Sequence, residues 1–180
     1  MSIGEEYKPF PDITRRNLTQ SLLEVPLMVW ALALPRRVRL LEIGCGRGAA
    51  LVPLARCCAP ARLVGMDIDG AALATATSHL SDHGVNCDLL LADVRSLPFD
   101  DRSFDLVVDF GTCYHISRPE EALAEVQRVL AEGGHFVYQT RISQLMSHPL
   151  RSFSRRLPWV AAPGLRPSRR RLLWSARVKA

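Results

Sequence analysis

The chain has 180 residues, 48% of them hydrophobic and 23% charged, which suffices for one globular domain with a sizeable core and excludes a disordered or fibrous chain. Its five cysteines (Cys45, Cys57, Cys58, Cys87, Cys113) are odd in number and show no CxxC spacing, which argues against a disulfide framework or a zinc site and fits a reducing, cytoplasmic setting. The net charge of +5 hides an asymmetry: residues 151–180 hold eight arginines and one lysine with no acid, so the rest of the chain is net acidic.

That basic segment reads as a solvated face whose arginine stems cover a sheet edge, or as a contact surface for nucleic acid, anionic lipid or an acidic partner. Residues 1–8 carry two glutamates and no apolar run, unlike a signal peptide. The most apolar stretch, 22–34, is too short to span a bilayer and is broken by Glu24 and Pro26.

Residues 1–36 read as an N-terminal helical arm or lid and 37–180 as the main domain. Within the arm, 14–33 has apolar residues enough for one or two helices, interrupted at Pro26 and closed by Pro35. A strand is predicted over 37–43 and a helix over 49–59, with Pro53 tolerable in its first turn. The next strand covers 61–68. Asp69 then caps a helix over 70–83, which Gly84 stops. A strand over 87–93, a loop with Pro98 and a strand over 104–110 follow. Ser117-Arg118-Pro119-Glu120 resembles a capping box opening a helix over 119–130. Gly133-Gly134 is expected to end that helix before a strand over 135–140. Residues 142–157 suit a helix broken at Pro149, and 164–166 and 171–178 suit two short strands. Continuous apolar strands such as Leu89-Leu90-Leu91, separated by helices, indicate an α/β, doubly wound parallel sheet covered on both faces. In such a fold ligands sit outside the carboxyl ends of the strands.

Four predicted strands end in polar groups at that rim. The first runs into Gly44-Cys45-Gly46-Arg47-Gly48, three glycines at alternate positions in a strand-to-helix turn. Glycine there lets a ligand lie against the backbone, and the helix N-terminus favours an anionic group. Asp67 ends the second strand at the distance from the glycine turn where an acid accepts from ribose hydroxyls. Asp93-Val94 follows the third strand, where a carboxylate suits an exocyclic adenine amino group. Asp109-Phe110-Gly111 ends the fourth.

On Leu41-Glu42-Ile43-Gly44-Cys45-Gly46-Arg47-Gly48, Val64-Gly65-Met66-Asp67-Ile68, Ala92-Asp93-Val94 with Leu97-Pro98-Phe99, Phe104-Asp105-Leu106-Val107-Val108 and Glu125-Val126-Gln127-Arg128-Val129-Leu130 with Gly133-Gly134, residues 37–141 resemble the class I S-adenosylmethionine-dependent methyltransferases of the small-molecule type. The resemblance implies a Rossmann-like, mostly parallel sheet with an antiparallel terminal strand. It implies that Glu42 and the turn of Gly44, Cys45, Gly46 and Gly48 hold the methionine moiety of S-adenosylmethionine. Asp67 would bind the ribose diol, with Ile68 packing on the adenine. Asp93 would accept from the adenine amino group and Val94 contribute an N–H, while Asp109 and Phe110 border the reacting methyl group. Transfer would be an in-line displacement to O, N or C of a small organic acceptor, for which alignment supplies much of the rate. Where the acceptor keeps a proton until attack, Tyr114 and His115 are the catalytic candidates, His115 as general base or as an orienting group. Tyr7, Arg15 and Arg16 of the arm could close over the site.

Absent motifs narrow the acceptor. No Asn/Asp-Pro-Pro-Tyr run, no Pro-Cys pair and no lysines besides Lys8 and Lys179 are present, against the amino-directed, cytosine-directed and ribose-directed types. Gly134-His135-Phe136 in place of an acidic pair speaks against a magnesium site, so a metal-free transferase is expected. Other readings stay open. Gly44-x-Gly46-x-x-Ala49 also satisfies the dinucleotide pattern of an NAD-dependent oxidoreductase. The arginine-rich segment could recruit nucleic acid to a nucleic-acid-directed methyltransferase, and a non-catalytic cofactor-binding partner protein is a further alternative. The site is either open or covered by the arm or by a second copy of the chain in a homodimer.

Overall fold

The computed structural model describes residues 13–140, 164–170 and 173–180. Among them seven strands form one sheet: β1 (Arg39–Ile43), β2 (Arg62–Asp67), β3 (Asp88–Leu91), β4 (Phe104–Asp109), β5 (Leu130–Gln139), β6 (Leu165–Arg170) and β7 (Trp174–Lys179), in the order β3-β2-β1-β4-β5-β7-β6. The first five are parallel, with β1 between β2 and β4. β7 runs antiparallel to both β5 and β6, so the terminal reversal implied by the resemblance is present. The direction of sequence reverses at β1 and β4, and the crevice for a ligand opens at their carboxyl ends.

Strand alternation distributes the core over both faces. Leu40, Leu63, Leu106, Val108, Val137 and Ala176 meet one set of helices: α2 (Val25–Leu32), α3 (Leu51–Cys58) and α4 (Gly70–Asp82). Their alternates Leu41, Val64, Val107 and Phe136 pack with Ala122, Leu123 and Val126 of α5 (Pro119–Val129). The central strands β1, β2 and β4 are thus buried on two sides, which explains their nearly continuous apolar sequences.

Several boundaries differ from expectation. Pro26 does not interrupt the arm: α1 (Ile13–Thr19), a π-helical segment (Gln20–Glu24) and α2 form one continuous helical run. Pro26 lacks the N–H that would bond four residues back, and the wider turn lies directly before it. The capping box does not form. Arg118, in a left-handed conformation, stands at the start of α5 without a side-chain cap, and Ser117 Oγ instead accepts from Arg95 Nη1 at 3.0 Å. Gly133-Gly134 does not end that helix either; α5 stops at Val129 and the pair lies within β5, where the register with β4 shifts. The terminal strands are a hairpin, the first reaching Arg170 and the second beginning at Trp174. Residues 1–12, including Tyr7 and Lys8, and the helix expected over 142–157 lie outside the described residues.

Two ion pairs brace this frame, one between β1 and β4 and one on α5. Arg39 meets Asp105 at 2.7 Å, and Arg128 binds Glu125 at 2.8 Å while bonding the carbonyls of Leu97 and Phe99. Hydrogen bonds from Arg39 and Arg128 hold the Asp105 and Glu125 carboxyls below the usual carboxylate range. A depressed folded-state pKa contributes stability that is present above the unfolded value and lost as pH falls through the folded one. Solvent reaches 35% of the Asp105 side chain and 20% of that of Glu125, so screening leaves on the order of 1–2 kcal/mol for both. The melting temperature at pH 7 should therefore fall by about 3–6 °C in Asp105→Asn/Glu125→Gln, and the difference from wild type should close below about pH 3. Scanning calorimetry across that range checks both parts.

Candidate active site

The carboxyl ends of β1 to β4 and one face of α1 wall a cleft of about 680 Å³. Its floor is the turn after β1. Gly44 has φ +64°, and a Cβ there would stand 1.7 Å from Thr112 Oγ1, whose hydroxyl donates to the Ile43 carbonyl at 3.1 Å. Gly46 has φ +53° and open space where a Cβ would stand, so its backbone faces the cleft. Its N–H donates to Asp67 Oδ2 at 2.7 Å, and Asp67 Oδ1 accepts from the Asp69 N–H at 3.0 Å. Asp69 in turn caps α4 through the N–H groups of Ala71 and Ala72. One carboxylate therefore ties the glycine turn to the start of the next helix.

Three acids converge beneath the turn. Glu42 is fully buried at the end of β1, and its Oε2 has no hydrogen-bond partner. Burial drives its pKa well above the usual carboxylate range; Arg16 opposes this, and Asp67 and Asp109 add to it. Asp109 is also buried and its pKa is raised by desolvation, but it accepts from the N–H groups of Gly111 (2.7 Å), Thr112 (2.6 Å) and Cys113 (3.2 Å). Asp93 belongs to a different environment. Arg95 Nη2 lies 2.7 Å from its Oδ2, and that guanidinium holds the Asp93 carboxyl below the usual range.

The arm supplies the facing wall. Arg16 donates to Gln20 Oε1 at 2.5 Å and to the Phe110 carbonyl at 3.1 Å, which fastens α1 to the end of β4. Tyr114 and His115 stand at the rim with ring centroids 4.2 Å apart.

A family model described as a methyltransferase domain matches residues 41–138, more than half of the chain. The chain belongs to the class I S-adenosylmethionine-dependent methyltransferases. This membership, and not the dinucleotide pattern, accounts for the glycine turn. A phthiotriol/phenolphthiotriol dimycocerosates methyltransferase of Mycobacterium ulcerans is 36% identical over 130 residues, covering 66% of this chain and 46% of the relative. A fatty-acid O-methyltransferase of Mycolicibacterium smegmatis is 34% identical over 100 residues, covering 56% of this chain and 36% of the relative. The chain thus spans less than half the length of these curated relatives. The crystal structure of a SAM dependent methyltransferase from Aquifex aeolicus superposes with a TM-score of 0.73 over 94% of each chain at 16% identity, a likeness of fold.

In this chain the cleft brings together Glu42, Gly44, Cys45, Gly46, Asp67, Ile68, Asp93, Val94, Phe110, Tyr114 and His115. Gly48 and Asp109 lie behind the wall and not on it: Gly48 backs onto Ala76 of α4, and the Asp109 carboxyl is spent on the turn at 111–113. Arg16 lines the cleft as the arm reading allowed, whereas Arg15 is exposed outside it. Asn17, Gln20, Arg95 and Thr112 also line it and are absent from the sequence reading. The only signal for Gln20 is its spacing: Arg16, Gln20 and Glu24 recur every four residues and so share one face of the helical run.

Proposed function

We propose that this methyltransferase binds S-adenosylmethionine in the cleft and transfers its methyl group to O, N or C of a small organic acceptor. The observation that carries the reading is Glu42: a buried carboxyl with an unpartnered oxygen beside the open backbone at Gly46 and the carboxylate of Asp67. Acids held this close, two of them raising the pKa of the third, suit a ligand that brings positive charge. Glu42 would accept from the ligand's ammonium, the turn at 44–46 would lie along its methionine chain, and Asp67 would accept from the ribose hydroxyls. Ile68 would pack on the adenine, and Asp93 with Val94 would meet its edge. Family members of this fold use S-adenosylmethionine, which supplies an electrophilic methyl group when bound.

The chain's own task is then to align the acceptor and exclude water. Phe110 and Tyr114 would wall the acceptor's approach, and the Arg16 clasp on the Phe110 carbonyl would fix that wall. His115 would take the proton of a hydroxyl or acidic carbon acceptor during attack. Likeness to the fatty-acid O-methyltransferase favours an apolar acceptor attacking through oxygen.

Calorimetric titration with S-adenosylmethionine, followed by transfer of isotopically labelled methyl to a panel of fatty acids and phenolic lipids, tests the reading. Wild type should bind the cofactor and label at least one acceptor. His115→Ala should keep cofactor affinity within about threefold while losing about 100-fold or more in kcat on a hydroxyl acceptor. Absence of cofactor binding would overturn the assignment. Cofactor binding without turnover across the panel would favour a non-catalytic role.

A further inference from the structure

The helical run from α1 to α2 is apolar on two sides. Gln20, Val25, Met28 and Leu32 are buried against the domain. Leu18, Leu22, Leu23, Leu27 and Trp30 are between 51% and 80% exposed. Their spacings of four (18 to 22, 23 to 27) and three (27 to 30) place them along one outward face, opposite the buried residues. A row of four leucines and a tryptophan turned to solvent exceeds the scattered single apolar residues of an ordinary surface. None of the described helices is long and apolar enough to cross a membrane.

Among the described residues, the helical run is followed by arginines and meets an arginine of β6. Arg36 and Arg37, both exposed, follow the helix directly. Arg169, on the exposed strand β6, reaches back to the carbonyls of Leu32 and Ala33, and Arg166 is exposed on the same strand. The one acid in residues 13–37 is Glu24, and it is engaged by the Gln139 amide and by Trp174 Nε1 (3.4 Å) on the sheet side. Leucines and a tryptophan bordered by arginines match the boundary of an anionic bilayer, where tryptophan sits at headgroup level and guanidinium groups meet lipid phosphates. Nucleic acid would use the arginines but would leave the leucine face in water.

We infer that the outward face of residues 18–30, with the arginines of 36–37 and β6, is a docking surface for an anionic lipid bilayer, on which the domain rests without spanning it. This surface stands apart from the cleft, so the inference holds or falls independently of the methyl acceptor.

The test uses the full chain and vesicles of phosphatidylcholine alone or mixed with phosphatidylglycerol. The protein should co-sediment with the mixed vesicles, blue-shift its tryptophan emission on them and lose binding as salt is raised. Leu22→Ser/Leu27→Ser/Trp30→Ser should keep the wild-type far-ultraviolet spectrum and bind about tenfold or more weakly. Arg166→Glu/Arg169→Glu should weaken binding to the mixed vesicles and leave the blue shift absent at moderate salt. No binding to either vesicle would overturn the inference. So would equal binding to both, tight binding of a nucleic acid duplex unaffected by the leucine substitutions, or a wild-type dimer that the triple variant dissolves without any vesicle binding.

Discussion

Asp67→Ala is expected to weaken S-adenosylmethionine binding by about 100-fold while leaving a folded protein. The carboxylate accepts from Gly46 at 2.7 Å and from Asp69 at 3.0 Å, so its removal frees the glycine turn from the start of α4 as well as deleting the proposed ribose acceptor. A charge-assisted bond contributes roughly 1.5–3 kcal/mol, and the loss of one such bond to the ligand together with a loosened turn comes to about 3 kcal/mol, or two decades in Kd. Asp67 lies at the cleft wall outside both apolar clusters, so no cavity opens in the core, and the melting temperature of the free protein should fall only by the loss of these two bonds, a few degrees and short of unfolding. Isothermal titration with the cofactor reads the effect directly. Wild-type affinity in this variant would sink the proposed placement of the adenosyl group. Asp67→Asn separates the two contributions: the amide oxygen can still accept from Gly46, so its loss should be smaller.

What the sequence made legible follows from range. The strands β1, β2 and β4 and the helices α3 and α4 could be read because Leu40-Leu41, Val64 and Leu106-Val107-Val108 carry their own apolar pattern, and Asp69 its own cap. The cleft positions of Asp67 and Asp93 were legible because each ends or follows a strand whose direction the α/β alternation fixes, whereas Glu42, inside β1, was pointed to only by the family resemblance. What failed was set by partners far along the chain. Ser117 is claimed by Arg95 across 22 residues, so it does not cap α5. Gly133-Gly134 reads as a helix stop, yet pairing of Leu130 with Phe104 starts β5 before the glycines are reached. Asp109 looks like a cleft acid in the sequence, and only the fold shows three successive N–H groups of residues 111–113 turned onto it. Arg16 touches the Phe110 carbonyl over a separation of 94 residues, beyond the reach of any local pattern.

Gly44→Ala should be the most damaging single substitution in the glycine turn. Two costs coincide at this position. A φ of +64° strains any side chain, at roughly 1–2 kcal/mol. The new Cβ would stand 1.7 Å from Thr112 Oγ1 and 2.8 Å from Thr112 Cβ. Thr112 has little room to retreat, because its N–H is held by Asp109 at 2.6 Å and its hydroxyl by the Ile43 carbonyl at 3.1 Å. Overpacking costs about 1–3 kcal/mol and the lost hydroxyl bond about 1 kcal/mol, which with the φ strain comes to about 3–6 kcal/mol. At roughly 2–4 °C per kcal/mol for a chain of this size, the melting temperature should drop by about 6–24 °C. Thr112→Gly removes every atom of the clash but leaves the φ strain. Added to Gly44→Ala, it should restore part of the stability although alone it destabilises by about 1–2 kcal/mol, giving a coupling of opposite sign to simple addition. A Gly44→Ala protein melting within about 2 °C of wild type would mean that the end of β1 is not pressed against residue 112, and the shape of the cleft floor would need to be redrawn.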